Sequence, residues 1–303
     1  MAYVYPMSAE FSYEYECWSQ VVRGARIFIG IVDLELVFRE MLSIITPPTQ
    51  SSLRRKPLKA KTLELTMTSL NAALYAGIGY LTFLGIFAPI VGVVRFWGIA
   101  VIIPSVFAAL FGPLVGGVGA AVGIFISDMF VHGNALLSVT VGVPANFAMF
   151  FLIGYISQRR VKVQTMNIGV AVGCIAIVLV FLIRWVVEAQ TDIFSALLIV
   201  LFSGLSIMLM MAVNRFWPKW RSFAVGSIVG NSIGSAIVGL GVWAFSQFFL
   251  LPGGMGSHLP LSASLIWFVW TFSNQMPFLL IFGPPILNAC SRAFPSLTRV
   301  PSV

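Results

Sequence analysis

Polar and aromatic side chains that could bind a small solute occur inside otherwise apolar stretches of this 303-residue chain. Such groups are expensive in a hydrocarbon environment, so they mark candidate sites. The candidates for solute binding are Asp128, Asn146, Arg184, Trp185, Trp243, Trp270 and Asn274. The tryptophans would stack on a planar ring, the amides would satisfy its heteroatoms, and Arg184 would meet an anionic group.

A purely structural interpretation of the same residues stays open. Tryptophans concentrate where membrane helices meet the interface, and buried amides often hydrogen-bond between helices. Arg184 lies one helical turn from Glu188 and can pair with it. The sequence predicts a solute pocket because these residues share one depth on several helices.

Enzymatic chemistry is not indicated. The chain contains no His-Glu-x-x-His, Gly-x-Ser-x-Gly or Cys-x-x-Cys motif. His132 and His258 fall in different loops, and the three cysteines lie far apart. We therefore expect no catalytic residue, no metal site and no cofactor.

The elements that carry these residues are predicted to be membrane-spanning helices. The chain is 59% hydrophobic and 9% charged, with a mean hydropathy of +0.97, whereas soluble domains are about 45–50% apolar and about 25% charged. The predicted fold is an all-α, polytopic transmembrane bundle of about eight spans of roughly 20 residues each. They lie near 64–94, 96–111, 113–131, 139–157, 167–187, 193–214, 222–250 and 261–287.

Three regions follow from this pattern. Residues 1–60 form an N-terminal segment with one helix, residues 61–290 the bundle, and residues 291–303 a short tail. The helix near 18–45 carries too many charges for a lipid-facing span. It is predicted to lie at the membrane interface or under a partner.

The basic residues predict the orientation. The net charge is +8 and the isoelectric point about 9.8. With residues 54–61 in the cytoplasm and alternating spans, thirteen Lys and Arg residues fall in cytoplasmic loops and only Arg95 and Arg184 on the other side. This predicts a multi-pass protein of the cell membrane with both termini inside, in contact with lipid. It also accounts for the basic charge without nucleic acid as a partner.

Small residues at four-residue spacing predict close helix packing. They occur in the glycine-rich stretch 112–123, at Gly226, Gly230 and Gly234, and at Ala72 and Ala76. The stretch 112–123 has no lysine and is not a phosphate loop.

Three segments together resemble a known family. Residues 61–80 read KTLELTMTSLNAALYAGIGY, residues 104–123 read PSVFAALFGPLVGGVGAAVG before Ile126-Ser127-Asp128, and residues 274–287 read NQMPFLLIFGPPIL. This is similar to the substrate-binding S components of energy-coupling-factor (ECF) vitamin transporters. The resemblance covers about 60–160 and, more loosely, 265–290.

The resemblance implies a membrane component that captures a small vitamin-like solute from outside. Its partners would be a transmembrane coupling subunit and ATPase subunits, since the chain has no nucleotide motif. In that family an Ala-x-x-x-Ala pair on the first helix docks the coupling subunit, which here implies Ala72 and Ala76. Packing within the bundle is the alternative for this pair. The alternative functions are a non-transporting structural subunit of a larger membrane complex and a stand-alone transporter.

Overall fold

The structure is a computed structural model that describes residues 58–82, 97–163, 193–252 and 256–293. Nearly all of the predicted N-terminal segment, the predicted span 167–187 with Arg184 and Trp185, and most of the C-terminal tail lie outside the described residues. Within these ranges the chain forms helices and turns and no β-strand, which confirms the all-helical prediction for this part of the chain.

Seven helices run through the described residues. They are α1 (Leu58–Leu81), α2 (Ile102–Phe111), α3 (Pro113–Val131), α4 (Ala135–Ser157), α5 (Ile193–Phe216), α6 (Arg221–Phe248) and α7 (Ser262–Ala293). By length and composition, α3, α4, α7 and the segment Pro218–Phe248 that contains α6 can each cross a membrane. These four helices match the predicted spans 113–131, 139–157, 222–250 and 261–287, and they support a membrane protein.

The predicted second span, 96–111, is shorter in the structure. Helix α2 has 10 residues, a rise of about 15 Å, whereas the hydrocarbon core is about 30 Å thick. The preceding residues form a turn, because the Trp97 N–H donates to Asn274 Oδ1 of α7 and the Val101 N–H donates to the Trp97 carbonyl. The count of eight spans stays a prediction.

Gly112 separates α2 from α3, as the Gly-Pro pair predicts. Its backbone conformation, with a φ of 116° and a ψ of 168°, is one that almost only glycine adopts. Pro113 then begins α3, where a missing N–H costs nothing. The chain therefore changes direction within one residue, and α2 packs against α3 and α4.

Helix α6 packs extensively against α4 and α7, and its glycines allow the close approach. A Cβ at Gly230 would lie 2.5 Å from the Met149 carbonyl oxygen of α4, and one at Gly239 would overlap the Ser264 carbonyl oxygen of α7. Gly226 and Gly234 also face α4. The predicted role of Gly226, Gly230 and Gly234 in tight packing is confirmed.

Helix α1 packs against the glycine-rich helix α3. The buried Asn71 amide donates to the carbonyls of Val115 at 3.0 Å and Gly116 at 3.3 Å. Gly119 and Gly123 face Asn71 and Ala72, and a Cβ at either glycine would fall within 3 Å of α1. Glycine in α3 thus makes room for both the backbone and the polar side chain of α1.

The outer surfaces of the helices carry large apolar side chains. Leu65, Phe130, Met211, Phe216 and Leu240 are mostly exposed. Large apolar side chains that face outward on several helices are typical of a surface that contacts a membrane or a partner. The bundle is therefore apolar on the outside as well as in its core.

One end of the bundle is basic. The Val161 N–H donates to Ser222 Oγ at 3.2 Å, and Lys219 Nζ donates to Ser291 Oγ at 3.4 Å. These bonds join the residues after α4, the residues at the start of α6 and just before it, and the end of α7. The basic residues Arg159, Arg160, Lys162, Lys219, Arg221 and Arg292 lie in these segments. We refer to them as the basic end.

Candidate functional site

A cavity of about 80 Å³ lies away from the basic end, where α1, α3, α4, α6 and α7 meet. A water molecule needs about 10–15 Å³ by the same measure, so the cavity holds a small solute or several waters. Its polar and aromatic lining residues are Tyr75, Trp97, Asp128, His132, Asn146, Thr271 and Gln275. Its remaining lining residues are Ile124, Leu137, Val141, Gly142, Val238 and Val242. Apolar walls with a few converging polar groups are typical of solute sites.

Asp128 is the carboxylate of this cavity. It lies in the last turn of α3 and is 7% exposed. Its Oδ2 accepts a hydrogen bond from Ser138 Oγ at 2.7 Å, and its Oδ1 lies 3.5 Å from His132 Nε2. His132 Nδ1 accepts from the Asn134 N–H at 3.1 Å, so a neutral His132 carries its proton on Nε2 and directs it toward Asp128.

A π-helical turn in α4, Ser138–Gly142, shapes the wall opposite Asp128. Such turns are rare and frequent at functional sites. The turn brings the Ser138 hydroxyl to the carboxylate. Gly142 leaves the space beside it open, because a Cβ there would lie 2.9 Å from Asp128 Oδ2.

Asn146 lies one turn further along α4 and bridges to α1. The Tyr75 hydroxyl donates to Asn146 Oδ1 at 2.7 Å, and Asn146 Nδ2 donates to the Gly142 carbonyl at 2.9 Å. These two bonds fix the orientation of the Tyr75 ring, which also lies 5.3 Å from the Trp97 ring.

Two side chains of α7 bring unsatisfied polar atoms to the cavity. Thr271 and Gln275 are 4% and 6% exposed. Thr271 Oγ1 and Gln275 Oε1 are buried and have no hydrogen-bond partner among the described residues. An unsatisfied buried polar atom costs about 1–3 kcal/mol, and a solute or bound water that offers hydrogen bonds would remove this cost.

The other predicted solute-binding residues within the described ranges do not line this cavity. Asn274 accepts from the Trp97 N–H at 3.1 Å and donates to the Trp270 carbonyl at 2.8 Å, so it braces α7 against the turn before α2. Trp243 and Trp270 pack against a neighbouring apolar cluster that includes Trp267. Of the predicted set, the structure brings Asp128 and Asn146 together, and solute contact by the other three stays a prediction.

The predicted docking pair lies on the buried face of α1. Ala72 and Ala76 are 6% and 8% exposed, and the Ala72 carbonyl faces Gly123 of α3. This burial agrees with the alternative in which the pair packs within the bundle. Docking of a partner through these alanines stays a prediction.

Several residues of the cavity were not among the predicted candidates. Ser138 and Thr271 are small polar residues without a motif, and Tyr75 and Trp97 belong to an apolar pattern. Gln275 was expected at the depth of the pocket, but of this pair only the neighbouring Asn274 was selected as a candidate. His132 was interpreted as a loop residue. The available signal was the spacing of four between Asp128 and His132 and between Thr271 and Gln275, which puts each pair on one helix face.

The polar side chains of the cavity are not arranged as a Ser-His-Asp triad. In a Ser-His-Asp triad the imidazole lies between the hydroxyl and the carboxylate, whereas here the Ser138 hydroxyl donates directly to Asp128. Among the described residues, no group of three His, Cys, Asp or Glu side chains is placed to hold a metal ion.

Comparisons of this chain with protein-family models, with curated proteins and with solved structures find no match.

Proposed function

We propose that this protein is a helical membrane protein that binds a small polar solute in the cavity beside Asp128. The observation that carries the proposal is the pair of unsatisfied polar atoms, Thr271 Oγ1 and Gln275 Oε1, on the wall of that cavity. The buried Asp128 carboxylate, which accepts a hydrogen bond from Ser138 of the π-helical turn, also supports the proposal. Buried polar groups at membrane depth generally mark solute or ion pathways.

The specific form that we propose is the S component of an ECF-type transporter. The sequence resemblance over about 60–160 supports this form, as does the lack of a nucleotide motif in the chain. The protein would capture a vitamin-like solute from outside the cell. A transmembrane coupling subunit and ATPase subunits would then drive release of the solute inward.

The proposed orientation puts the basic end in the cytoplasm and the cavity toward the outside. The loops that carry Arg159, Arg160, Lys219 and Arg221 meet at the basic end through hydrogen bonds, so the positive-inside rule applies to them as a group.

Cysteine labelling tests this orientation in intact cells. Single cysteines at Arg55, Arg160 and Pro218, in a variant without Cys17, Cys174 and Cys290, are expected to resist an impermeant maleimide until the cells are opened. Cysteines at Gly133 and Gly256 are expected to react from outside. Mixed accessibility among the first three positions would contradict the proposed topology.

The solute-binding proposal is tested by purifying the full chain from its native membrane and identifying what accompanies it. A small molecule released on denaturation, together with ATPase subunits, is the expected result. Titration with a panel of vitamins and precursors should then quench tryptophan fluorescence, because Trp97 lines the cavity.

Two tryptophan variants identify which tryptophan the solute quenches. Trp97→Phe is expected to lose most of the quenching, whereas Trp220→Phe, which changes a buried tryptophan next to the basic end, should retain it. If no panel member quenches, no small molecule is released and an unrelated complex co-purifies, the structural-subunit function replaces the proposal. If a solute binds and crosses the membrane without ATPase subunits, the protein is a stand-alone transporter.

A further inference from the structure

We propose that an anionic phospholipid binds at the corner where α5 ends and α6 begins, beside the end of α7. The cationic residues of this corner are Arg215, Lys219, Arg221 and Arg292. The site lies outside the cavity, so it goes beyond the proposed function and does not depend on which solute the cavity holds. Two features carry the proposal, the charge of the corner and the apolar face of α5 that leads to it.

Two hydrogen bonds join the three helices at this corner. Lys219 Nζ donates to Ser291 Oγ of α7 at 3.4 Å, and Arg221 Nε donates to Asn214 Oδ1 of α5. Both acceptors are neutral, so these bonds fix the positions of the two cations without neutralising them. The Lys219 side chain is exposed, and its ammonium group has further N–H donors to offer.

The helices that meet here carry no carboxylate in the described part of the chain. Residues 193–252 and 256–293 contain no Asp or Glu. Arg215, in the last turn of α5, and Arg292, in the last turn of α7, add two exposed cations next to Asn214 and Ser291. Helix α6 begins at the corner without an acidic residue in its first turn, so the positive end of its dipole adds to the same field. The corner therefore attracts anions.

The exposed face of α5 fits the acyl chains of a lipid. Leu201, Gly204, Met208, Met211 and Arg215 follow one another at spacings of three and four residues, which puts them on one face of the helix. All five are exposed, and no atom of the described residues lies within 4 Å of a Cβ built at Gly204. The rise from residue 201 to residue 211 is about 15 Å, which is half of the roughly 30 Å hydrocarbon core and hence the depth of one leaflet.

Charge and apolar surface occur here in the order that a phospholipid requires. The apolar face of α5 would contact the acyl chains, and Arg215 and Lys219, just beyond it, would meet the phosphate. A soluble anion would make no use of the apolar face. Anionic headgroups attract each Lys or Arg near the membrane surface strongly enough to change affinity by about fivefold. Several cations at one corner therefore favour an anionic lipid over one without net charge.

Lipid titration of the full-length protein in a non-ionic detergent tests the site. Dioleoyl phosphatidylglycerol and dioleoyl phosphatidylcholine have the same acyl chains, but only the first has a net negative charge. We expect phosphatidylglycerol to raise the thermal midpoint, and to form adducts in native mass spectrometry, at concentrations where phosphatidylcholine does neither. Both effects should weaken as the salt concentration rises, because salt screens exposed charges. Inorganic phosphate, which has no acyl chains, should leave the midpoint unchanged.

Charge variants test which residues bind the lipid. Arg215→Gln and Lys219→Gln are each expected to weaken phosphatidylglycerol binding by about fivefold. Ser291→Ala removes the hydrogen bond of Lys219 but keeps its charge, and should leave binding nearly unchanged. Arg159→Gln is the matched charge control, because Arg159 belongs to the basic end but already contacts Tyr155, at 2.8 Å from its hydroxyl and 4.6 Å from its ring centre. Since Arg215 is exposed, its variant still tests the site if Lys219→Gln folds poorly.

Four results would overturn the inference. They are equal binding of the two lipids, equal losses in Arg159→Gln and Arg215→Gln, stabilisation by inorganic phosphate alone, and stabilisation by polyglutamate but not by phosphatidylglycerol. The second would indicate attraction spread over the whole basic end, the third a soluble anion, and the fourth an acidic protein. None of these results bears on solute binding, because the cavity lies away from the basic end.

Discussion

Gly230→Leu is expected to prevent the bundle from folding stably, because α4 and α6 touch through their backbones at this position. A Cβ on Gly230 would lie 2.5 Å from the Met149 carbonyl oxygen and 2.8 Å from Ile153 Cγ1. A backbone oxygen cannot move aside without moving α4. Overpacking of this kind costs about 1–3 kcal/mol or more, a large share of the roughly 5–15 kcal/mol that stabilises a typical protein.

The measurement is the thermal midpoint of the purified protein, followed by size-exclusion chromatography in detergent. Gly230→Ala should already lower the midpoint, even though alanine favours helix over glycine by about 1 kcal/mol. Gly204→Ala is the matched control, since it gives the same helical gain at a position where no atom of the described residues lies within 4 Å, and it should raise the midpoint or leave it unchanged. A Gly230→Leu protein as stable as the unchanged chain would contradict the close contact of α4 with α6.

The features that were predictable from sequence are those encoded by local residue patterns. The Gly112-Pro113 pair predicted the break between α2 and α3, because few other residues allow that backbone conformation. The spacing of Gly226, Gly230 and Gly234 predicted a close helix contact. Apolar runs of sufficient length predicted the four helices that can cross a membrane.

The cavity was only partly predictable, because it depends on how each helix is rotated. On α7 the polar pair Thr271 and Gln275 faces the cavity, whereas Asn274, one residue away, braces the turn before α2. One residue along a helix turns a side chain by about 100°. Both faces of this part of α7 carry polar and aromatic residues, so the pattern cannot identify the one that lines the cavity.

The π-helical turn in α4 was not predictable from the sequence either, because it also depends on a contact between helices. A local turn is selected when its tertiary contacts outweigh the cost of the wider hydrogen-bonding pattern. Here the contact is the bond from Ser138 Oγ to Asp128 Oδ2 at 2.7 Å, between residues of two helices. The sequence of the segment Ser138–Gly142 alone does not predict this hydrogen bond. The predicted site therefore included Asp128 but not Ser138.

Gly142→Ala is expected to impair solute binding while the protein stays folded, which separates the cavity from the packing of the bundle. The added methyl would lie 2.9 Å from Asp128 Oδ2 and 3.5 Å from Ser138 Oγ. These atoms are the ends of side chains, so the carboxylate can rotate away and the backbone need not move. The rotation breaks the hydrogen bond from Ser138 and displaces the carboxyl group that the solute would meet.

The measurement is fluorescence titration with the solute that quenches the unchanged protein, beside the thermal midpoint. Affinity should fall by about tenfold or more, the equivalent of roughly 1.4 kcal/mol, whereas the midpoint should move by no more than about 2–4 °C, the shift that about 1 kcal/mol produces in a chain of this size. Gly77→Ala lies on the exposed side of α1, with none of the described atoms within 4 Å, and it should change neither quantity appreciably. A Gly142→Ala protein that binds its solute with unchanged affinity would show that the space beside Asp128 is not where the solute binds.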